Sequence, residues 1–469
     1  MIIYNTITRK REALVPLEEG HVKMYTCGPT VYDYAHIGNF RAYMFEDILR
    51  RQLEFVGLEV TQVMNLTDVD DKTIRGAIQA GVSLGEFTEP YKDAFFADLK
   101  TLNIEPAELY PAATEHIGEM IELIERLIDR GHAYVSDDGS VYYNVGGFPE
   151  YGRLARLDMS GLQAGARVAH DEYDKENVSD FAVWKAWDEE DGTIAWDSPW
   201  GRGRPGWHTE CSAMSMKYLG ERFDLHTGGV DNIFPHHENE IAQSECATGS
   251  KPFVKYWMHC GYLIVDGTKM SKSLGNFYTL RDLIEKGYSG REIRYVLMSA
   301  HYRQSLNFTF TALDAARSSL ARLDDFRDRL TELAGAAAGN GGTRLPDWAE
   351  RGATRFREAM NDDLNTPEAL GALFEMVHEG NRAMDAAGVS KQQSLAIIRE
   401  LDAMDGVLGV LNVTDEAPDD KVLALVDART VARQNKEWAE SDRIRDELAS
   451  VGWEVRDTPD GPKLKKIAL

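Results

Sequence analysis

Over its first three hundred residues the chain alternates short apolar runs with amphipathic stretches. His21 to Thr26 reads as a strand, and Gly28-Pro29 ends it, because proline cannot extend a ladder. Phe40 to Val56 carries apolar residues at helical spacing, and Glu59 to Leu66 alternates as a second strand. A strand–helix–strand unit of this kind implies a parallel sheet with a right-handed crossover. Lys72 to Ala80 is a helix entered from the acidic loop Thr67-Asp68-Val69-Asp70-Asp71. Residues 88–131 read as helical, with a start signal at Thr88-Glu89-Pro90. Two short strands, Ala133–Val135 and Val141–Asn144, precede a charged, irregular stretch from Glu150 to about Asp191. The break in alternation marks an insertion at about 110–200. The pattern then resumes with a helix from His208 to Leu219 and a strand from Phe223 to Thr227. A helix opens at His236 behind Pro235, and Tyr256 to Val265 reads as a strand. Leu280 to Thr331 is mostly helical, Gly335 opens a Gly/Ala-rich linker, and helices resume from Asp347 to Leu411. After Pro418 come one helix, Val422 to Val451, and a hairpin turning at Pro459-Asp460-Gly461. The expected fold class is α/β: a parallel-sheet domain over 1–310, a helical bundle over 311–417 and a small α+β module over 418–469.

Composition narrows the setting. The chain has 469 residues, 43% hydrophobic and 28% charged, ordinary values for a globular protein. The N-terminal residues predict no secretory signal, and no run reaches the roughly 18 apolar residues of a membrane span. The cysteines at 27, 211, 246 and 260 form no C-x-x-C pair, which fits a reducing cytoplasm better than a disulfide scaffold. A formal net charge of −25 counts against non-specific nucleic-acid binding over the whole surface. It leaves room for an RNA partner held by local basic patches, with strong salt dependence.

Three places carry candidate chemistry. His36-Ile37-Gly38-Asn39 lies between a strand and a helix start, where free backbone N–H groups and the helix dipole favour phosphate. Gly38 leaves room for a base or sugar, and His36 can donate from either ring nitrogen. By itself the tetrapeptide equally fits an ordinary βα turn with a surface histidine. Gly228-Gly229, followed by Asp231, again lets backbone approach a ligand after a strand. His236 and Glu240 are four apart on one helix face. With Cys27 and Cys211 they offer two thiolates, an imidazole and a carboxylate, a donor set suited to tetrahedral Zn²⁺. The same residues also fit two small buried hydrophobes beside a solvated helix face. His208 and His237 are rival ligands, while Cys246 and Cys260 suit the core. Asp68, Asp70 and Asp71 suit either Mg²⁺ or a helix N-cap.

A second stretch changes the weight of the first. Lys269-Met270-Ser271-Lys272-Ser273, followed by Leu-Gly-Asn, together with His36 to Asn39, resembles the two signatures of class I aminoacyl-tRNA synthetases. Cys27-Gly28-Pro29-Thr30-Val31-Tyr32-Asp33 and Asn65-Leu66-Thr67-Asp68-Val69-Asp70-Asp71 resemble the cysteinyl members of that class. So do Trp207-His208-Thr209-Glu210-Cys211-Ser212 and Gly228-Gly229-Val230-Asp231 leading to His236-His237-Glu238-Asn239-Glu240. The resemblance implies a Rossmann-like catalytic domain that ligates L-cysteine to tRNA(Cys) through a cysteinyl-adenylate. It implies Zn²⁺ at Cys27, Cys211, His236 and Glu240 binding the substrate thiolate, and Mg²⁺ accompanying ATP. His36, Asn39, Lys269 and Lys272 would be catalytic. Gly38, Gly228, Gly229, Asp231, Ser271 and Lys272 would bind ATP, and Thr67 and Trp207 would line the amino-acid pocket. Asn39 stands where other members of the class often have histidine. The bundle would brace the tRNA stem, and the last module would read the anticodon. There Arg429, Arg433, Lys436, Arg443, Arg445 and Lys463 to Lys466 would contact phosphates, with Trp438 or Trp453 stacking on a base. A cytoplasmic monomer without a membrane partner is expected. Two rival readings stand beside this: a ligase that resembles only the catalytic part and passes cysteine to an amino sugar, and, from another class, a non-catalytic RNA- or zinc-binding relative.

Overall fold

The structure, a computed structural model, describes residues 1–157, 159, 167–168, 179–335, 344–411, 420–451, 453–458 and 461–466. The expected Gly/Ala-rich linker beyond Gly335, Pro418 and the turn residues Pro459 and Asp460 lie outside the described residues. So do the side chains of Lys463 to Lys466.

Four parallel strands form the central sheet, in the order Val254–Cys260, Phe223–Gly229, His21–Thr26, Glu59–Met64. Successive side chains point to opposite faces. Val22, Met24, Val60, Met64 and Leu225 enter one apolar core, whereas Tyr25, Val63, Phe223 and Trp257 enter the other. A parallel sheet needs cover on both faces. The helix Ile37–Phe55 and the bundle helices, through Leu313, Phe326, Phe356, Leu373 and Leu401, fill the first core. The insertion, through Tyr143, Phe181 and Trp184, fills the second. The chain steps from His21–Thr26 to Glu59–Met64, then crosses back to place Phe223–Gly229 on the other side. Where strand order reverses, a crevice opens at the carboxyl ends of the strands.

Several elements differ from the sequence expectation. The first helix begins at Ile37, three residues before Phe40, because His36 caps it. His36 Nδ1 accepts from Asn39 N at 3.1 Å, and Asn39 Oδ1 accepts from His36 N at 3.1 Å. The helix expected to start near Pro90 runs Leu84–Thr101 with Pro90 inside it, because Ser83 and Glu86 form the capping box. The stretch expected to be irregular contains the strand Asp180–Ala186, which pairs with Val141–Tyr143, Arg167–Val168 and Gly203–Pro205. Tyr256 to Val265 is two strands, Val254–Cys260 and Leu263–Val265, in different sheets. Gly261 marks the turn, where a Cβ would lie 2.7 Å from the Gln304 carbonyl oxygen. A strand, Leu306–Phe308, interrupts the helices expected from Leu280 to Thr331. The single helix expected over Val422 to Val451 is two, Asp420–Gln434 and Trp438–Ser450, broken where Lys436 adopts φ +63°. The hairpin Trp453–Thr458 with Gly461–Lys466 is antiparallel. No helix among the described residues is long and apolar enough to cross a membrane.

Candidate active site and metal centre

A cleft of about 610 Å³ opens at the strand reversal. Cys27, His36, Gly38, Asn39, Gly229, Asp231 and Lys269 line it. The first helix brings in His36, Gly38 and Asn39, and the loop after Leu263–Val265 brings in Lys269. Gly38 is required by a close approach. A Cβ there would lie 2.9 Å from the His36 ring and 3.2 Å from the Met270 methyl, so only glycine fits beside His36 at this point of the cleft wall. Because His36 Nδ1 accepts from Asn39 N, donation to a ligand falls to Nε2. Burial, and beyond it the Lys272 charge, lower the His36 pKa, which favours the neutral ring.

Cys27, Cys211, His236 and Glu240 converge behind the cleft, with their ligand atoms all within 4.8 Å of one another. Only Cys27 reaches the cleft wall; the other three are buried. Cys27 follows the central strand. Gly28 then passes so close to Asn65 that a Cβ would overlap its carbonyl oxygen, and Gly28 N donates to Asn65 Oδ1 at 2.9 Å. Cys211 sits on the helix Trp207–Leu219, and His236 and Glu240 sit one turn apart on the helix His236–Thr248.

The surrounding groups make this cluster a possible cation site. Glu240 Oε2 is held by His226 Nε2 at 2.9 Å. Glu240 Oε1 is buried without a hydrogen bond, although His236 Nε2 lies 3.1 Å away. His236 Nδ1 pairs with His208 Nδ1 at 3.0 Å, which leaves Nε2 facing the cluster. Trp207 stacks on the His236 ring with centroids 4.3 Å apart. Burial holds His236 neutral, with its pKa lowered to about 3, and pushes the Cys27 thiol up to about 11. Burial also raises the Cys211 thiol, with Cys27 and Glu240 adding to the effect. A divalent cation held there would reverse that balance by stabilising both thiolates. Cys27, His226, His237 and Glu240 form a second possible set. Its imidazoles are already engaged, however: His226 on Glu240, and His237 between Cys27 Sγ at 3.1 Å and His259 Nε2 at 2.8 Å.

Other expected site residues lie elsewhere. Thr67 is buried behind the wall, accepts from Asn65 Nδ2 at 3.1 Å and donates to Glu210. Trp207 and Gly228 do not line the cleft, and Gly228 packs against His237. Ser271 caps the Lys272–Leu274 turn and takes the Asn276 amide oxygen on its N–H at 2.8 Å. Lys272 lies outside the cleft on Asp33. Asp70 is an N-cap, as the second reading of that loop expected. Asp68 binds Lys92 and Thr114, and Asp71 pairs with Arg204. In the last module Arg429 and Trp453 are buried, so neither contacts RNA as placed, whereas Trp438 is exposed with Arg433 over its ring. Arg443 is spanned by Glu440 and Glu447. Sequence reasoning missed His226 and His259, which no local pattern marks, and Asn276, which ends the quoted Leu-Gly-Asn.

The family described as tRNA synthetases class I (C) catalytic domain matches residues 13–318. A DALR domain matches 355–412, and a cysteinyl-tRNA ligase anticodon binding domain matches 416–462. The methionyl-tRNA synthetase of Mycobacterium tuberculosis, solved with methionyl-adenylate, superposes with a TM-score of 0.61 at 16% identity, covering 83% of this chain and 90% of that one. The fold is that of a class I aminoacyl-tRNA synthetase. The cysteine–tRNA ligase of Protochlamydia amoebophila is 53% identical over 470 residues, covering 99% of this chain and 97% of that protein. That of Brachyspira hyodysenteriae is 50% identical over 474 residues, covering 99% of each. The chain belongs to the cysteine–tRNA ligase family, enzymes that aminoacylate tRNA with cysteine.

Proposed function

We propose that this chain ligates L-cysteine to tRNA(Cys) through a cysteinyl-adenylate, with Zn²⁺ on Cys27, Cys211, His236 and Glu240 recognising the substrate thiolate. The observation that carries the reading is the position of this donor set. It lies directly behind a cleft that it reaches through Cys27, and the cleft lining also holds His36, Asn39 and Lys269. The buried, unbonded Glu240 Oε1 and the neutral His236 fit a metal, and two thiols with one imidazole favour zinc. Bound there, zinc would prefer a thiolate over an alcohol, which pocket shape alone separates poorly.

The chain's own residues then handle charge. The cysteine carboxylate attacks the α-phosphorus of ATP, whose Mg²⁺ accompanies the phosphates, and pyrophosphate leaves with the electrons of the broken P–O bond. His36 Nε2 and the Asn39 amide donate to the phosphates, and Lys269 and Lys272 offset the charge that develops. Gly38, Gly229 and Asp231 border the nucleotide. Ser271 shapes the loop, and Thr67 and Trp207 support the metal centre from behind. A hydroxyl of the tRNA terminal adenosine then takes the cysteinyl group, with AMP leaving. The match at 416–462 favours tRNA over an amino sugar as acceptor.

Cysteine-dependent ATP–pyrophosphate exchange tests the reading, with serine as control and with metal removed and restored. Exchange with cysteine alone, lost on chelation and recovered with Zn²⁺, is expected. Exchange indifferent to metal would overturn the zinc assignment and leave the synthetase fold standing.

A further inference from the structure

The tip of the second signature loop is held away from the cleft by Asp33, three residues before the first signature. Lys272 Nζ lies 2.6 Å from Asp33 Oδ2 and 5.1 Å from the Phe277 ring centre. Lys269 lines the cleft and Lys272 does not. Phe277 also stands edge-on to His36 with centroids 5.1 Å apart, so one ring touches both the ammonium and the cleft-lining histidine. The base of the loop is fixed differently: Ile37 N donates to the Tyr278 carbonyl at 3.0 Å, and the Arg281 guanidinium covers the Tyr34 ring at 4.8 Å. Between base and tip, Gly267 and Gly275 sit at φ +75° and +66°, conformations open to glycine, where the backbone can pivot.

The geometry points to Asp33 as a positioning residue that holds Lys272 outside the cleft and releases it to the triphosphate. This rests on the reading above that Lys272 offsets phosphate charge. Both partners are solvent-exposed, at 68% and 37% of their side-chain surface, so the pair is weak. A triphosphate offers Lys272 several anionic oxygens in place of one carboxylate. Closure therefore proceeds, and ATP affinity is lowered by the population the pair holds open.

Asp33→Asn keeps the shape and removes the charge; Asp33→Glu restores it. The full chain is assayed for cysteine-dependent ATP–pyrophosphate exchange and for trypsin cleavage after Lys269 and Lys272, read by mass spectrometry. For Asp33→Asn we expect an ATP KM lower by about two- to fivefold with kcat within about twofold. Nucleotide-free cleavage after Lys272 should be faster by a similar factor, and a non-hydrolysable ATP analogue should abolish that difference. Asp33→Glu should return both readouts to wild type. Unchanged cleavage would overturn the latch, and an ATP KM that stays or rises would overturn its effect on ATP. Lys272→Met separates the two readings. If it exchanges at the wild-type rate, the role given to Lys272 fails, while cleavage after Lys269 in Asp33→Asn still decides the latch.

Discussion

Glu46 lies on the first helix, buried, with Thr227 Oγ1 donating to one carboxyl oxygen at 2.9 Å and no hydrogen bond to the other. Burial raises its pKa to about 8 from 4.5. Between those values the folded chain keeps a proton that the unfolded chain has released. Raising the pH therefore favours unfolding across that window, by roughly 1.4 kcal/mol per pH unit. Glu46→Gln keeps the acceptor for Thr227 and removes the titration. Urea unfolding at pH 5 and pH 8 should show wild type losing on the order of 3 kcal/mol more than the variant; parallel pH slopes would refute the assignment. A second residue-scale prediction concerns His208, which fixes the His236 ring through the 3.0 Å Nδ1 pair. His208→Ala should weaken zinc binding by about 10- to 100-fold in a chelator competition, with cysteine KM returning toward wild type in excess Zn²⁺. An unchanged zinc affinity would remove His208 from the metal centre.

The second signature loop is braced less by its lysines than by Asn276. Its amide donates to Thr268 Oγ1 at 3.1 Å and the Lys269 carbonyl at 3.2 Å, and its oxygen accepts from Ser271 N at 2.8 Å. Asn276→Ala removes all three. Adenylation kcat should fall about tenfold, with cysteine KM unchanged, because each such bond contributes roughly 0.5–1.5 kcal/mol to holding the loop. Equal effects on kcat and cysteine KM would place Asn276 in the amino-acid pocket instead. At this scale the sequence is legible where structure is set locally. A partly apolar run marked His21–Thr26, partial alternation marked Glu59–Met64, and the resumed pattern marked Trp207–Leu219 to within a residue. Asp180–Ala186 escaped because it is buried on both faces and shows no alternation. The break at Gly261 escaped because it is imposed by Gln304, far along the chain. The metal donor set follows the same division. Its chemistry is readable from residue types, and the i, i+4 pair from spacing. Its convergence, and the histidines behind it, depend on elements more than 180 residues apart in the chain.

Across the whole molecule, the apolar clusters say which parts stand or fall together. Sheet and bundle share one continuous core, and Arg294 ties them through polar contacts. It donates to Asp47 Oδ2 at 2.6 Å on the first helix, to the Leu102 and Asn103 carbonyls, and to the Leu408 carbonyl at 2.6 Å where the last bundle helix ends. The final module has its own small core of Val422, Val426, Ile444, Leu448, Trp453 and Val455. A cut after Leu411 therefore removes a separate unit and leaves the cleft, the metal centre and the shared core in place. The truncated chain should unfold at the same urea midpoint and keep cysteine-dependent exchange within about twofold of wild type. Its kcat/KM for tRNA should fall by at least about 100-fold, since losing the anticodon contacts forfeits roughly 3 kcal/mol of recognition. The whole chain carries a net charge of −25 and so offers RNA little attraction away from local basic patches, and added salt should weaken charging by the truncated chain less steeply than by the full chain. If truncation lowered exchange and charging alike, the module would be a structural support for the active site rather than a separate reader of tRNA.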